Sequence, residues 1–103
     1  MMNRRVVVTG LGVVSSLGLT RDQHFAGLRA GRSGIGALKI QDVDRLSVKI
    51  GGFNHEFKAE GRFDRTDVNL FDRTTQMAVT AADEAMADSG LTLTEEQSFN
   101  TGV

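Results

Sequence analysis

Residues 4–18 have the sequence Arg-Arg-Val-Val-Val-Thr-Gly-Leu-Gly-Val-Val-Ser-Ser-Leu-Gly, and this stretch decides the fold. Val6, Val7 and Val8 are three β-branched residues in succession, which is typical of a strand buried on both faces in the interior of a sheet. Glycines at positions 10, 12 and 18 follow, where the backbone bends or approaches another element closely. The stretch therefore predicts a central strand that runs into a glycine-rich loop of an α/β domain.

The same stretch partly matches the dinucleotide-binding fingerprint, in which glycines after a strand let a pyrophosphate approach a helix N-terminus. The match is incomplete because Ser15 occupies the third glycine position and the loop continues through residues 17–19 without opening a helix. No acidic residue follows about twenty positions later. A structural turn in an α/β core is therefore the favoured interpretation, and a dinucleotide-binding module is kept as an alternative.

The composition fits a single ordinary domain without disulfides. The chain has 103 residues, 40% of them hydrophobic, and a formal net charge of -1. The absence of cysteine excludes a disulfide framework, a thiolate nucleophile and a cysteine-based zinc site, and it favours a cytoplasmic location. There is no signal-peptide pattern, and no apolar run approaches the roughly twenty residues of a membrane span.

Charge is distributed unevenly along the chain. Residues 1–39 carry six basic groups and one acidic group, whereas residues 40–103 carry six basic and twelve acidic groups. Because no run of Lys or Arg exceeds two and aromatic residues are few, solvated faces explain this pattern better than nucleic-acid binding. We expect neither nucleic acid nor a membrane as a partner.

The first helix is predicted from its cap. Thr20 followed by Gln23 forms a capping box, the signal for a helix that runs to about Ala30. Phe25 and Leu28 recur at helical spacing, so we expect both side chains to face the core.

The middle of the chain gives weaker signals. Residues 31–36 are predicted to form a tight loop in which Ser33 is a turn residue and not a nucleophile. Strict alternation in residues 46–50 predicts a half-exposed strand before two glycines. Residues 53–70 are predicted to form an irregular connection whose apolar side chains pin it to the core, namely Phe57, Phe63 and Leu70.

The second helix is predicted to begin after the N-cap Asp72 and to end at Gly90 in a Schellman motif. One face consists of small residues, which would let a neighbouring element approach closely: Ala78, Ala81, Ala82 and Ala85. Three acidic residues are expected along the solvated edge of this helix: Asp83, Glu84 and Asp88. A short polar segment then covers residues 92–100.

The two histidines and the paired aspartates do not predict a metal site. His24 and His55 lie far apart in sequence, without a His-x-x-x-His pair or any cysteine. Asp42 and Asp44 lack the glycine and the distal glutamate of a calcium loop, so they are interpreted as solvated carboxylates.

The predicted elements do not complete a sheet. A strand buried on both faces needs parallel neighbours reached through crossover connections, and only one further strand is predicted. We therefore expect residues 1–103 to be the amino-terminal portion of a larger domain, incomplete at its C-terminus, with residues 101–103 leading into the next strand.

Four blocks occur in a specific order and spacing: residues 4–18; Leu28-x-x-Gly31-x-Ser33-Gly34-Ile35; Asp72-Arg73-x-x-Gln76-x-Ala78; and Asp88-Ser89-Gly90-Leu91. Together they resemble the amino terminus of β-ketoacyl-[acyl-carrier-protein] synthases of the elongating type. The resemblance implies an α/β, thiolase-like fold with α-β-α-β-α layers, of which this chain would hold the first part of the N-terminal half. It also implies a cytoplasmic enzyme of fatty acid biosynthesis that uses no cofactor.

The family condenses an acyl chain held on a cysteine with malonyl-carrier protein and releases carbon dioxide. This chemistry needs a thiolate and two histidines that stabilise an oxyanion, and in relatives all three lie downstream of the matched region. His24 and His55 do not correspond to those histidines. No catalytic, cofactor-binding or metal residue is therefore assigned, and the chain alone is expected to be inactive.

The resemblance implies acyl carrier protein as a partner. In several relatives the segment before the second helix is rich in Lys and Arg and is expected to meet this acidic protein. Here only Arg62 and Arg65 remain as candidate docking residues, followed by Thr66, Asp67, Asn69 and Leu70. The resemblance further implies a homodimer, or a heterodimer if the parent is a non-catalytic, chain-length-factor-like subunit of a polyketide synthase, which is the main alternative.

We predict that the isolated chain associates in solution. The valine strand would leave its backbone edges unpaired, and the alanine face would lack its neighbour. Size-exclusion chromatography combined with a thermal scan checks this. Aggregation without a cooperative transition is expected, and cooperative unfolding of a monomer would contradict it.

Overall fold

The structure is a computed structural model that describes residues 3–102, and within them it contains four α-helices and one two-stranded sheet. In chain order the elements are α1 (Arg21–Arg29), β1 (Ile35–Ala37), a 3-10 turn (Val43–Arg45), β2 (Ile50–Gly52), α2 (Arg65–Leu70), α3 (Arg73–Ser89) and α4 (Glu95–Phe99). The radius of gyration is 17.4 Å, above the roughly 13 Å of a compact domain of this length. Much apolar surface is therefore uncovered.

Helix α1 confirms the predicted cap with one difference. The Thr20 side chain accepts a hydrogen bond from the Gln23 backbone N–H at 3.2 Å. Gln23 Oε1 accepts from the N–H of Leu19 at 2.8 Å, so it closes on the residue before the cap and not on the cap itself. The prediction that Phe25 and Leu28 face the core is wrong for the described residues, because both are exposed.

The sheet is a short antiparallel hairpin in which Ile35 lies opposite Gly52 and Ala37 opposite Ile50. The strand predicted at residues 46–50 is thus misplaced, and part of the predicted loop 31–36 forms β1. The physical reason is the packing of Ser16 against the hairpin. The Ser16 side chain occupies the space that a Cβ would need at Gly34, and its Oγ lies 3.3 Å from the position that a Cβ would take at Gly52. The hairpin thus forms where glycines allow the turn that contains Ser16 to pack closely. The alternation of apolar and polar residues carries no information about such a contact.

Helix α3 begins and ends as predicted. The Asp72 carboxylate accepts from the Thr75 N–H at 2.7 Å, and this hydrogen bond lowers the pKa of Asp72. Gly90 ends the helix in the left-handed region with φ of 66°. The full Schellman motif is not formed, because the N–H of Leu91 donates to Ser89 Oγ at 3.1 Å.

Two short helices were not predicted. Helix α2 lies in the supposed irregular connection, capped by Asp64, and α4 lies in the supposed polar segment, with a complete capping box between Thr94 and Gln97. Phe57 is 3% exposed, which confirms its predicted role. Leu70, predicted to pin the same connection, is 74% exposed, so that prediction is wrong. Its position at the end of α2 directs it away from the buried side.

The glycines of the first stretch cross α3 at close range. A Cβ at Gly10 would lie 2.8 Å from the backbone nitrogen of Ser89, and one at Gly12 would lie 2.8 Å from that of Ala85. Contacts this short do not occur with real Cβ atoms, so only glycine fits at either position. Ala81 and Ala85 are half-buried under this crossing, which confirms the predicted close approach at these two alanines. Two other members of the alanine face, Ala78 and Ala82, are exposed.

Two carboxylates of α3 hold the crossing segment by its backbone. The N–H of Leu11 donates to Asp88 at 3.0 Å, and the N–H of Val13 donates to Glu84 at 2.9 Å. Glu84 also accepts from the N–H of Arg21 at 2.9 Å, and the Arg21 guanidinium forms an ion pair with Asp88. The predicted solvated edge is therefore wrong for Glu84, which is half-buried, whereas Asp83 and Asp88 are exposed as predicted. We call this set of contacts the carboxylate clamp.

The clamp perturbs both partners of its ion pair. The Arg21 side chain, and then the Leu11 N–H, lower the pKa of Asp88. Asp88 in turn raises the pKa of Arg21 through a side-chain hydrogen bond.

The valine segment that precedes the crossing is not a buried strand in this structure. Val6, Val7 and Val8 are 93%, 68% and 79% exposed and belong to no helix or strand. Among the described residues the β1–β2 hairpin is the one sheet, and neither of its strands pairs with residues 6–8. The prediction of a buried strand is therefore wrong for this segment. Of the predicted strand at residues 101–103, the first two residues lie outside helices and strands, and Val103 lies outside the described residues.

We predict that Gly12→Ala destabilises the crossing by about 2–3 kcal/mol, because the added methyl group would overlap the α3 backbone. Gly36→Ala is the matched control, since a Cβ there meets nothing within 4 Å. Urea titration of the protein encoded by the complete reading frame, followed by far-UV circular dichroism, measures both variants. Equal midpoints for the two variants would contradict the close approach.

We predict that Asp88 stabilises the fold in a pH-dependent way. Because its pKa is lowered in the folded state, its contribution is present above the ordinary aspartate pKa and is lost as the pH falls through the lower folded value. In the protein encoded by the complete reading frame, Asp88→Asn should therefore lower the urea midpoint at neutral pH, and the difference should shrink in acid. Asp83→Asn, at an exposed position, should change little at either pH. A pH-independent difference for Asp88→Asn would contradict this.

Candidate functional site

The glycine loop does not form a phosphate cradle. The positions that a pyrophosphate would approach at Gly10 and Gly12 are filled by the backbone of α3. The loop amides of Leu11 and Val13 already donate to carboxylates, and those negative charges would repel a phosphate. The geometry therefore argues against the dinucleotide alternative and assigns the two glycines to helix packing.

The two histidines have separate structural partners. His24 Nδ1 lies 2.8 Å from Ser15 Oγ. The same hydroxyl oxygen accepts from the Leu17 N–H, so its own hydrogen is free to donate to the imidazole. His55 packs against Phe53 with ring centroids 4.6 Å apart. The structure does not bring the histidines together, and across residues 3–102 no group of His, Asp and Glu is arranged to hold a metal ion.

Arg73 is a structural cation that the sequence analysis did not single out. Its guanidinium lies 5.0 Å from the ring centroid of Phe53 and 5.4 Å from that of Phe57. It also donates to the backbone oxygen of Asn54 at 2.8 Å. Arg73 thus holds residues 53–57 against the start of α3. The signal available in the sequence was an arginine directly after an N-cap, preceded by four phenylalanines at positions 53, 57, 63 and 71.

A cleft of about 640 Å³ lies between α1, the hairpin and residues 53–56, and no sequence signal pointed to it. Its charged and titratable lining residues are Arg32, His55 and Glu56. Arg32 already donates to the backbone oxygen of Leu17 at 2.7 Å. With one cation, one imidazole and one carboxylate, all on exposed residues, the cleft presents no catalytic constellation.

The candidate docking residues Arg62 and Arg65 lie close together in the chain, on either side of a cap. Arg62 belongs to a turn in which its N–H donates to the backbone oxygen of Ala59, and Arg65 is the first residue of α2. Both are exposed, and neither is in an ion pair with another described residue. Next to them is a concave surface of about 440 Å³ lined by Arg65, Thr66, Asn69 and Leu70.

Across residues 3–102, no helix is both long and apolar enough to span a bilayer.

Several curated proteins are similar over nearly the whole chain. The 3-oxoacyl-[acyl-carrier-protein] synthase 2 of Synechocystis is 35% identical over 97% of this chain, and that of Vibrio cholerae is 35% identical over 100%. The tetracenomycin polyketide synthase ketoacyl synthase beta subunit of Streptomyces glaucescens is 36% identical over 95%. The chain spans about a quarter of the length of these relatives, 24%, 25% and 24% respectively.

A solved structure supports the predicted fold class. The ishigamide ketosynthase/chain length factor superposes with a TM-score of 0.75 and 38% sequence identity, covering 88% of this chain and 23% of that chain. The thiolase-like α/β fold is thereby confirmed for this part of the architecture.

The family model described as "Beta-ketoacyl synthase, N-terminal domain" matches residues 3–103, which is almost the entire sequence. This match agrees with the four sequence blocks, with the glycine crossing and with the superposition on the solved ketosynthase/chain length factor structure. The chain therefore belongs to the β-ketoacyl synthase N-terminal domain family.

Proposed function

We propose that this chain is the amino-terminal part of a 3-oxoacyl-[acyl-carrier-protein] synthase that acts in fatty acid biosynthesis. The reaction is the decarboxylative Claisen condensation of an acyl group with malonyl-carrier protein. The observation that carries the proposal is the 35% identity to such synthases over 97% to 100% of the chain. The parent is proposed to be a cytoplasmic homodimer.

Within that enzyme the chain's own residues supply scaffold and not chemistry. It contains no cysteine, so the acylated thiolate must come from elsewhere in the protein. His24 is hydrogen-bonded to Ser15 through Nδ1 and His55 packs against Phe53, so the two imidazoles lie in separate surroundings and form no shared oxyanion site. The clamp and the Arg73 contacts fix the backbone segments around α3.

A second candidate is a non-catalytic subunit of a polyketide synthase. It is favoured by the 36% identity to a polyketide ketoacyl synthase beta subunit and by the 38% identity to a ketosynthase/chain length factor structure. Such a subunit would act through a heterodimer and would itself lack the nucleophile.

One assay separates these candidates. The protein encoded by the complete reading frame is incubated with acyl- and malonyl-carrier protein, and carbon dioxide release and 3-oxoacyl product are measured. Product from this protein alone supports the synthase. Product only after co-purification with a ketosynthase subunit supports the second candidate and overturns the first. No product in either setting overturns both.

We predict that Arg62→Glu combined with Arg65→Glu weakens binding of holo-acyl carrier protein to the complete protein about fivefold at low ionic strength. The two guanidiniums are exposed and free of ion pairs among the described residues, so they are available to an acidic partner. Arg45→Glu, at an exposed position in the 3-10 turn, is the matched control. Unchanged affinity of the double variant would overturn docking through this pair.

A further inference from the structure

The outer edge of strand β1 carries backbone groups at Ala37 that no other described residue pairs. The Leu38 N–H donates to the backbone oxygen of Lys49 at 2.9 Å, so the backbone of Leu38 is turned towards β2. Ala37 and its partner Ile50 are then a pair without mutual hydrogen bonds, and the N–H and C=O of Ala37 point away from β2. The strand therefore presents one free donor and one free acceptor on its outer side.

This outer edge borders the cleft of about 640 Å³. Residues 32–37 line the cleft without a gap, whereas β2 contributes Gly51 alone. The face of a strand would contribute only every second residue, because successive side chains point to opposite faces. An unbroken run of lining residues indicates instead that the backbone edge of β1 forms the wall of the cleft.

The edge also lacks the features that keep an exposed strand from pairing. Such features are a charged side chain, a proline or a bulge. Residues 33–38 have the sequence Ser-Gly-Ile-Gly-Ala-Leu, with neither a charge nor a proline, and the β1–β2 register has no bulge. Ile35 and Ala37 are both exposed, and only the Ile35 N–H is satisfied locally, by Ser33 Oγ at 3.1 Å. The outer edge of β1 is thus suited to receive another strand.

The length of the relatives indicates where that strand comes from. This chain spans 24% and 25% of two curated synthases and 23% of the solved ketosynthase/chain length factor chain. Most of such a protein therefore lies outside this part and packs against it. The charged residues that line the cleft, Arg32 and Glu56, have opposite signs, so the cleft offers little attraction to a diffusing charged partner. A segment of the same polypeptide needs no such attraction, because its effective concentration is high.

We propose that an extended segment of the parent protein, from the part that follows residue 103, lies in this cleft and adds a third strand to the outer edge of β1. The backbone of that segment accepts a hydrogen bond from the Ala37 N–H and donates one to the Ala37 oxygen, as in β-strand addition. The inference rests on the proposed function, because it takes residues 1–103 to be one part of a longer synthase. It assigns the cleft to the internal assembly of the protein and not to a substrate.

Hydrogen exchange of the protein encoded by the complete reading frame tests the pairing. The Ala37 amide should exchange roughly a hundredfold more slowly than in an unfolded peptide, at low and at high protein concentration alike. Lys39 is the matched control. By the same alternation its amide points away from β2, but Lys39 does not line the cleft, so its amide should exchange faster than that of Ala37.

A proline at position 37 tests the same pairing through stability. Ala37→Pro removes the outward N–H, a change that an edge tolerates where it faces solvent and not where it is paired. We expect this variant of the complete protein to lower the urea midpoint by about 0.5 M without changing the oligomeric state. Lys39→Pro makes the same change outside the cleft, and Ala37→Ser keeps the N–H at nearly the same size. Neither control should shift the midpoint.

The outcomes separate this inference from the proposed function. If the protein condenses its substrates but the Ala37 amide exchanges as in an unfolded peptide, the edge is open, and the inference fails while the proposed function stands. Protection that grows with protein concentration, or dissociation of an oligomer by Ala37→Pro, assigns the edge to a second copy and overturns the inference. Protection that appears only when acyl- or malonyl-carrier protein is added assigns the cleft to a ligand and also overturns it. If no substrate is condensed while Ala37 is protected at every concentration, the proposed function fails and the strand addition is retained.

Discussion

The structure depends on the contact between the glycine loop and α3. Gly10 and Gly12 bring one backbone directly against another, and Glu84 and Asp88 then bond the loop amides from the helix. The glycines and the carboxylates act together, because any side chain at either glycine would push the loop amides out of reach of the carboxylates. Since Glu84 also accepts from the first N–H of α1, the same contact sets where that helix begins.

Whether an element could be predicted from the sequence depends on how far apart along the chain its interacting residues lie. The caps at Thr20 and Asp72 and the end at Gly90 were predictable because they depend on residues within one turn. The hairpin register and the clamp were not predictable in this way, because each depends on residues far apart in sequence. Helices α2 and α4 begin at the local caps Asp64 and Thr94, and the sequence reasoning missed them because it interpreted polar residues as loop. Glu84 and Asp88 have the spacing of a solvated helix edge, and only the approach of the loop gives them partners. The valine segment was predicted from a pattern that needs sheet neighbours, which the described residues do not supply.

For the candidate site, the proposal that Arg62 and Arg65 bind a carrier protein came from a family resemblance, and the exposure of Leu70 beside them was not foreseen. Leu70 was predicted to point inward because it is apolar, and the unforeseen helix α2 turns it outward. The glycine crossing and α2 are connected through α3. This helix carries the clamp near its C-terminal end and fixes α2 through Gln76 near its N-terminal end.

Residue-resolved hydrogen exchange tests the clamp most directly. The account predicts that the amides of Leu11 and Val13 exchange slowly in the protein encoded by the complete reading frame, and that Asp88→Ala accelerates exchange at Leu11 more than at Val13, which Glu84 still holds. Amides at Leu11 and Val13 that exchange as fast as those of an unfolded peptide would contradict the account.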